Sequence, residues 1–200
     1  MEPFELPAGE VLLRPWREDD VPAAWAALQD PGMRLWNNAG SGSVEAVAAL
    51  IARRRDWSGG DHASWAVVPT GGGELVGSVS LHSIDRAQGD AEVGYWTVPA
   101  ARGRGVAVRA TVAVVDWAFR VLPVDRVQLF HAVENPASGR VAAKAGFTLE
   151  GRLRRSFRYG DGVKHDELLW SRLATDPPAA PSSTGSTRTC LLYTSDAADE

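Results

Sequence analysis

The sequence predicts a single α/β domain built on one mixed sheet with helices on both faces. Three observations lead there. Two hundred residues amount to one domain, or at most two small ones. Short β-branched runs alternate with helix-period segments through the middle of the chain, and hairpin-like strand pairs flank them. Composition is 44% hydrophobic and 23% charged, which supplies enough apolar surface for a real core.

Glu10 to Trp16 carries Val11, Leu12 and Leu13 and reads as a first strand. Asp19 or Asp20 caps a helix to about Gln29, with Pro22 tolerated in its first turn and Pro31-Gly32 as the stop. Asn37 to Ser43 is a loop. Ser43 caps a second helix through Asp56, with Val44, Val47, Leu50 and Ile51 at helical spacing. Arg53-Arg54-Arg55 falls in its last turn, where cations complement the dipole; a basic patch is the weaker alternative. Strands follow at Ala63–Pro69 and Glu74–Ile84 around Gly71-Gly72-Gly73, then at Ala91–Val98. After the glycine-rich Arg102 to Gly105, a largely apolar helix runs to about Val121. Arg126–Val133 is a strand and Ala137–Lys144 a short helix closed by Ala145-Gly146. Phe147–Tyr159 and Lys164–Arg172 form a last strand pair around Gly160-Asp161-Gly162.

Composition narrows the function. A net charge of −4 argues against a general nucleic-acid binder and suits a cationic substrate. No apolar run reaches the roughly 20 residues that span a bilayer. The acidic Met1-Glu2-Pro3-Phe4-Glu5 start lacks the apolar segment of a secretory signal, so a cytoplasmic protein is expected. His62, His82, His131 and His165 show no metal-ligand spacing, and no Gly-x-Ser-x-Gly elbow is present. The folded domain is expected over residues 1–175, with a disordered tail over 176–200 that opens on Asp176-Pro177-Pro178. Residues 190–200 resemble a sequencing adapter read through as codons, so the natural frame is expected to end before them. Without residues 182–200 the chain loses one Arg and three acids, its net charge is −2, and its one Cys is gone. A cysteine nucleophile is thereby excluded.

The informative stretch is Glu92 to Ala107, a strand leading through glycines into a buried helix. The first amides of such a helix lack internal partners, and with the dipole they make an anion site that glycines let a phosphate approach. Arg102 and Arg104 add positive charge. The nucleotide-triphosphate loop pattern is absent, and Val108 stands where the dinucleotide fingerprint needs its third small residue. Arg102-x-x-Gly105-x-Ala107 instead matches the Arg/Gln-x-x-Gly-x-Gly/Ala acyl-CoA signature. Further on, Asn135-Pro136-Ala137-Ser138 through Lys144-Ala145-Gly146-Phe147 completes a second match.

With these segments the chain resembles the GNAT superfamily of acetyl-CoA-dependent N-acyltransferases. Glu150-Gly151, Asp166…Trp170 and the opening Leu13-Arg14-Pro15-Trp16-Arg17-Glu18-Asp19-Asp20 are similar to its RimJ/RimL-like branch, over about Val11 to Leu173. The resemblance implies a mostly antiparallel sheet whose central strands, ending near Val98 and Val133, splay to accept pantetheine. It implies that Gly103, Arg104, Gly105, Val106 and Ala107 hold the pyrophosphate with Arg102, that Val98 contacts the arm, and that Asn135 bonds the pantetheine region. Asn135 as a turn former before Pro136 is the competing reading. Ala107 replaces the commoner Gly, and the Tyr that many members place after the Asn-Pro-Ala-Ser start is missing.

The implied reaction is direct attack of a neutral amine on the thioester, which needs a base, an acid and an oxyanion donor. Glu92, which shares a strand face with Gly94, Trp96 and Val98, is the candidate base; a salt-bridged strand Glu is its alternative. Ser138 is the candidate acid, with a helix-capping role competing. The Val98 amide is the candidate oxyanion donor. Tyr95 and Trp96 line the acceptor pocket or simply fill core, and Trp36, Asn37 and Asn38 lie in the loop that shapes that pocket. The expected protein is a bacterial N-acetyltransferase without metal, and the resemblance points to a homodimer. Its acceptor is a protein N-terminus or a small amine such as an amino acid, polyamine or amino-sugar. A non-catalytic acyl-CoA sensor and a generic nucleotide-phosphate binder are the rivals.

Overall fold

The computed structural model describes residues 1–37 and 42–179. Its strands are β1 (Leu6–Ala8), β2 (Val11–Pro15), β3 (Ala63–Pro69), β4 (Gly77–Asp85), β5 (Asp90–Thr97), β6 (Arg126–Ala132), β7 (Thr148–Arg158) and β8 (Lys164–Leu173). Its helices are α1 (Val21–Leu28), α2 (Pro31–Trp36), α3 (Val44–Arg55), α4 (Val106–Val121) and α5 (Pro136–Lys144). The strands form one eight-stranded sheet in the order β1-β2-β3-β4-β5-β6-β8-β7. Every neighbouring pair is antiparallel except β5 and β6. The mixed, mostly antiparallel sheet with helices on both faces is therefore the fold.

Strand alternation sends Val79, Leu81, Val93 and Leu129 to one face, where α4 covers them with Val106, Ala110, Val114 and Val115. Burying each of the valine and leucine side chains contributes about 1.5–3 kcal/mol. Phe4, Trp57, Trp65 and Trp117 close that core in an aromatic cluster with centroids 4.7–5.7 Å apart. The opposite face holds a smaller core in which Trp16, Leu28, Met33, Val47 and Ile51 pack on Ala66 and Trp96. The Arg14…Asp20 part of the opening segment is a fastening. Arg14 donates to both carboxylate oxygens of Asp20 (2.7 and 2.8 Å), which also accepts from the Arg17 amide, tying β2 to the start of α1.

Two expectations need correction. The chain opens with a hairpin rather than one strand: Gly9 turns with φ +68° and returns β1 against β2. Pro31-Gly32 does not stop the helical region but begins α2. Asp30 accepts from the Met33 amide at 3.0 Å, and Pro31 stands at N1, where its fixed φ suits a helix start. Trp36 therefore ends a helix and Asn37 caps it, instead of lying in a loop. Asn38 and residues 182–200, including the adapter-like segment, lie outside the described residues. No described helix is long and apolar enough to cross a membrane.

Candidate active site

β5 and β6 pair only from Asp90 to Glu92, against Arg126 to Gln128. Beyond Glu92 the two strands part, and a cleft of about 790 Å³ opens between them. The amide of Val98 donates to the Val76 carbonyl on the β4 side at 3.0 Å. Successive residues of a strand turn their amides to opposite neighbours, so those of Tyr95 and Thr97 face the gap. This overturns Val98 as oxyanion donor: its N–H is already used, and its side chain packs against both cores instead of lining the cleft.

At one end of the cleft the glycine turn meets α4. Gly103 and Gly105 take φ +77° and +75°, the left-handed region that other residues adopt only with strain. A Cβ on Gly105 would come within 3.1 Å of the Arg109 guanidinium. The amides of Gly103 to Val108 donate to no backbone carbonyl, and the first intrahelical bond comes from Arg109 to the Gly105 carbonyl. Gly103, Gly105, Val106 and Ala107 line the cleft, so this is a cradle of free donors at the positive end of a four-turn helix. The two arginines behave differently from the expectation. Arg102 lines the cleft but donates to Asp30 at 2.6 Å, and Arg104 does not line it.

At the middle of the cleft stands α5. Asn135 caps it by accepting from the Ser138 amide at 3.3 Å, a helix cap rather than the plain turn former of the competing reading, and the residue also lines the cleft. Ser138 sits in the first turn with its hydroxyl 2.7 Å from the Tyr95 hydroxyl, which also reaches the Ser138 carbonyl at 3.2 Å. Burial pushes the Tyr95 phenol up to about 12. It therefore stays protonated at neutral pH and remains a donor. The sequence reading treated Tyr95 as pocket wall or core and missed this pairing. The two residues are 43 positions apart, and only the tertiary fold brings them together.

The other end is walled by α2, α3 and the β7–β8 turn. Trp36 packs edge-on against Tyr159 and His165 (5.4 and 6.0 Å). The turn docks because Gly160 donates to the Leu35 carbonyl at 2.9 Å, a contact any Cβ at 160 would block against Arg34. Trp36, Asn37 and Trp96 all line the cleft. Glu92 does not; His82 lies between, with Nε2 at 3.7 Å from the Glu92 carboxylate. Burial, with the like charge of Glu167, pushes the Glu92 carboxyl up to about 7. Burial and then Arg54 hold the His82 imidazole below its ordinary value. Setting all four histidines aside for want of metal spacing thus overlooked His82. Among the described residues no group of three or more His, Cys, Asp or Glu could hold a metal ion. Arg54 also leaves the bland helix-end role: it reaches the cleft and donates to Ser78 Oγ at 3.3 Å.

This geometry agrees with what the chain is similar to. Residues 10–148 match the family model described as an acetyltransferase (GNAT) domain. YdaF of Bacillus subtilis (strain 168) is 36% identical over 101 residues, 50% of this chain and 55% of YdaF. The ribosomal-protein-serine acetyltransferase of Escherichia coli (strain K12) is 32% identical over 100 residues, 50% of this chain and 55% of that protein. The match thus spans about half the length of these relatives. Mycobacterium smegmatis RimJ, solved in complex with CoA-disulfide, superposes with a TM-score of 0.73 at 28% identity, covering 87% of this chain and 90% of that one. With a splayed strand pair, a glycine cradle at α4 and a family match over most of its length, this chain belongs to the GNAT acetyltransferase family, in its RimJ/RimL-like branch.

Proposed function

We propose that the protein is an acetyl-CoA-dependent N-acetyltransferase that acts on a primary amine, in the cytoplasm, with residues 1–175 as its folded domain. The observation that carries this reading is the continuity of the β5–β6 gap with the free amides of Gly103 to Val108. The cradle fits a pyrophosphate, and the edges of the gap fit a pantetheine arm that completes the strand hydrogen bonds. Arg140 and Lys144 on α5 supply further positive charge along the cleft.

The chain's own groups then divide the chemistry. The Thr97 or Tyr95 amide, aimed into the gap, serves as the donor to the thioester oxygen as negative charge develops there. The acceptor nitrogen bonds to the acyl carbon as the carbon–sulfur bond breaks. The proton leaving the nitrogen passes to Glu92 by way of His82 or a water, and the sulfur receives one from the Tyr95–Ser138 hydroxyl pair. A carboxyl near 7 is suited to take a proton at neutral pH, and a phenol near 12 keeps its proton there and can hydrogen-bond the sulfur as charge develops on it.

Calorimetric titration with acetyl-CoA, with ATP as control, tests the cradle. Thiol release with a panel of amines and peptide N-termini tests the chemistry. Saturable acetyl-CoA binding with release from one acceptor class is the expected result. Binding without release from any acceptor would favour an acyl-CoA sensor, and equal affinity for ATP would leave only a nucleotide-phosphate binder.

A further inference from the structure

Of the arginines that line this cleft, Arg102 is tied to Asp30, whereas Arg140 on α5 and Arg54 on α3 have no carboxylate partner among the described residues. Arg54 is the one of these on the α2–α3 side. It leaves the last turn of α3, passes over the Trp16 ring at 6.0 Å and spends one N–H on Ser78 Oγ at 3.3 Å. No carboxylate of the described residues lies within 4 Å of it. A guanidinium carries five N–H donors in a planar fork, so most of its hydrogen-bonding capacity is unspent. Burial, with the like charge of Arg53, pushes it down to about 10, in keeping with a guanidinium that has no anion beside it.

Its position matters as much as its isolation. Ser78, Ser80 and His82 alternate along β4 on the face opposite α4, and Gly94, paired to Ser80, leaves the floor between them open. Arg54 stands over Ser78 at one end of this floor, and the His82–Glu92 pair stands at the other. The described lining includes no Asp or Glu at all. That is the wrong wall for a polycation. It speaks against the cationic substrate that the net charge of the chain favours.

We infer that the acceptor is an amine that carries its own oxyanion, a carboxylate or a phosphate, which docks in the fork of Arg54 while the amine lies toward His82 and Glu92. The inference rests on the acetyltransferase reading for the identity of the amine end, but the anion site stands on its own geometry. A bidentate guanidinium–oxyanion pair in a partly dry cleft supplies both affinity and orientation, which fixes which nitrogen meets the acyl carbon. Arg102, Arg140 and Lys144 belong to the side of the cleft nearer the α4 cradle and α5, which leaves Arg54 to the acceptor.

Calorimetry on the full chain tests it, with amino acids against their C-terminal amides, O-phosphoethanolamine against ethanolamine, and spermidine as the cation. At least one oxyanion-bearing amine is expected to bind about ten-fold or more tighter than its partner without the oxyanion. That ratio is expected to collapse toward one in Arg54→Gln and to recover in part in Arg54→Lys, which keeps the charge and loses the fork. The carboxylate and phosphate pairs tell which oxyanion is preferred. Acetyl-CoA affinity, measured on the same preparations, shows that the variants are folded and judges the acetyltransferase reading separately. If acetyl-CoA fails to bind while the oxyanion preference holds, the enzymatic reading falls and the anion site stands. Tightest binding of spermidine, or an oxyanion preference that survives in Arg54→Gln, would overturn the inference.

Discussion

The two ends of the cleft are built by different means. The α4 end is made of backbone: free amides, two positive-φ glycines and a helix start, all within the six residues Gly103 to Val108. The α2–α3 end is made of side chains from four separate stretches, with Trp36, Arg54, His82 and Tyr159 brought together by tertiary packing. Backbone geometry tolerates few substitutions and leaves a local signature. A side-chain wall can be rewritten residue by residue, so under the proposed function the cofactor cradle is the end that resists change and the acceptor wall the end that can vary.

The sharpest way to break the comparison is at the backbone end. Gly105→Val puts a β-branched residue at φ +75° and its Cβ 3.1 Å from Arg109. The strain alone is about 1–2 kcal/mol, and the side chain also intrudes on the cradle. Acetyl-CoA affinity is expected to fall by about 100-fold or more in calorimetry, while circular dichroism shows a folded protein. Undiminished affinity would mean that the turn is a plain helix start. No single substitution among Trp36, Asn37 or Trp96 is expected to lower acetyl-CoA affinity comparably.

The middle of the cleft gives the next largest effect. Tyr95→Phe removes the hydroxyl 2.7 Å from Ser138 Oγ, and kcat is expected to drop about 100-fold with little change in acetyl-CoA affinity. Ser138→Ala is expected to cost less, because Tyr95 keeps its phenol and still reaches the carbonyl at 138. The reverse ranking would make Ser138 the proton donor and Tyr95 its support.

The same contrast explains how much could be read before the structure. The α4 cradle was legible because Arg102 to Ala107 is contiguous, and a strand–glycine–helix order has one mechanical meaning. Helix α3 was legible because Ser43 caps it and Val47, Leu50 and Ile51 repeat at its period. Helix α2 was not, since Pro31-Gly32 reads equally as a stop or as an N1 start, and the Asp30 cap decides between them. Arg54 was hidden inside a run of three arginines, and only the direction of its side chain across Trp16 separates it from its neighbours. Tyr95 was hidden by parity. It lies on the strand face opposite Glu92 and Trp96, so its partner comes from α5 rather than from the acceptor wall.

Acidity sharpens the assignment of the base. A carboxyl at about 7 implies that kcat/KM rises with pH through about 7 as Glu92 loses its proton, and Glu92→Gln is expected to remove that limb. Stability moves the other way. The native carboxyl binds its proton more tightly than the unfolded one, whose value is 4.5, so stability falls as pH rises between 4.5 and about 7. Glu92→Gln is therefore expected to be more thermally stable than the parent above about pH 7 and to lose that advantage toward pH 4. A pH–rate profile alongside melting curves checks both signs at once. A rising limb that persists in Glu92→Gln would move the base to His82.

The smallest effect belongs to Asp30, a residue that ties the two ends together. Asp30 caps α2 through the Met33 amide and holds Arg102 of the glycine turn, both through Oδ1. The Arg102 ion pair keeps the Asp30 carboxyl below its ordinary value. Asp30→Asn keeps a capping oxygen and loses the ion pair, which on a partly exposed surface costs about 0.2–1 kcal/mol. Asp30→Ala loses both, and the cap adds about 1 kcal/mol. If the ends are independent, the alanine variant raises the acceptor KM a few-fold through a loosened Trp36 wall and leaves acetyl-CoA affinity alone. If Asp30 couples them, releasing Arg102 changes acetyl-CoA affinity in both variants. The asparagine variant decides between these, because it alone leaves α2 capped while freeing the arginine.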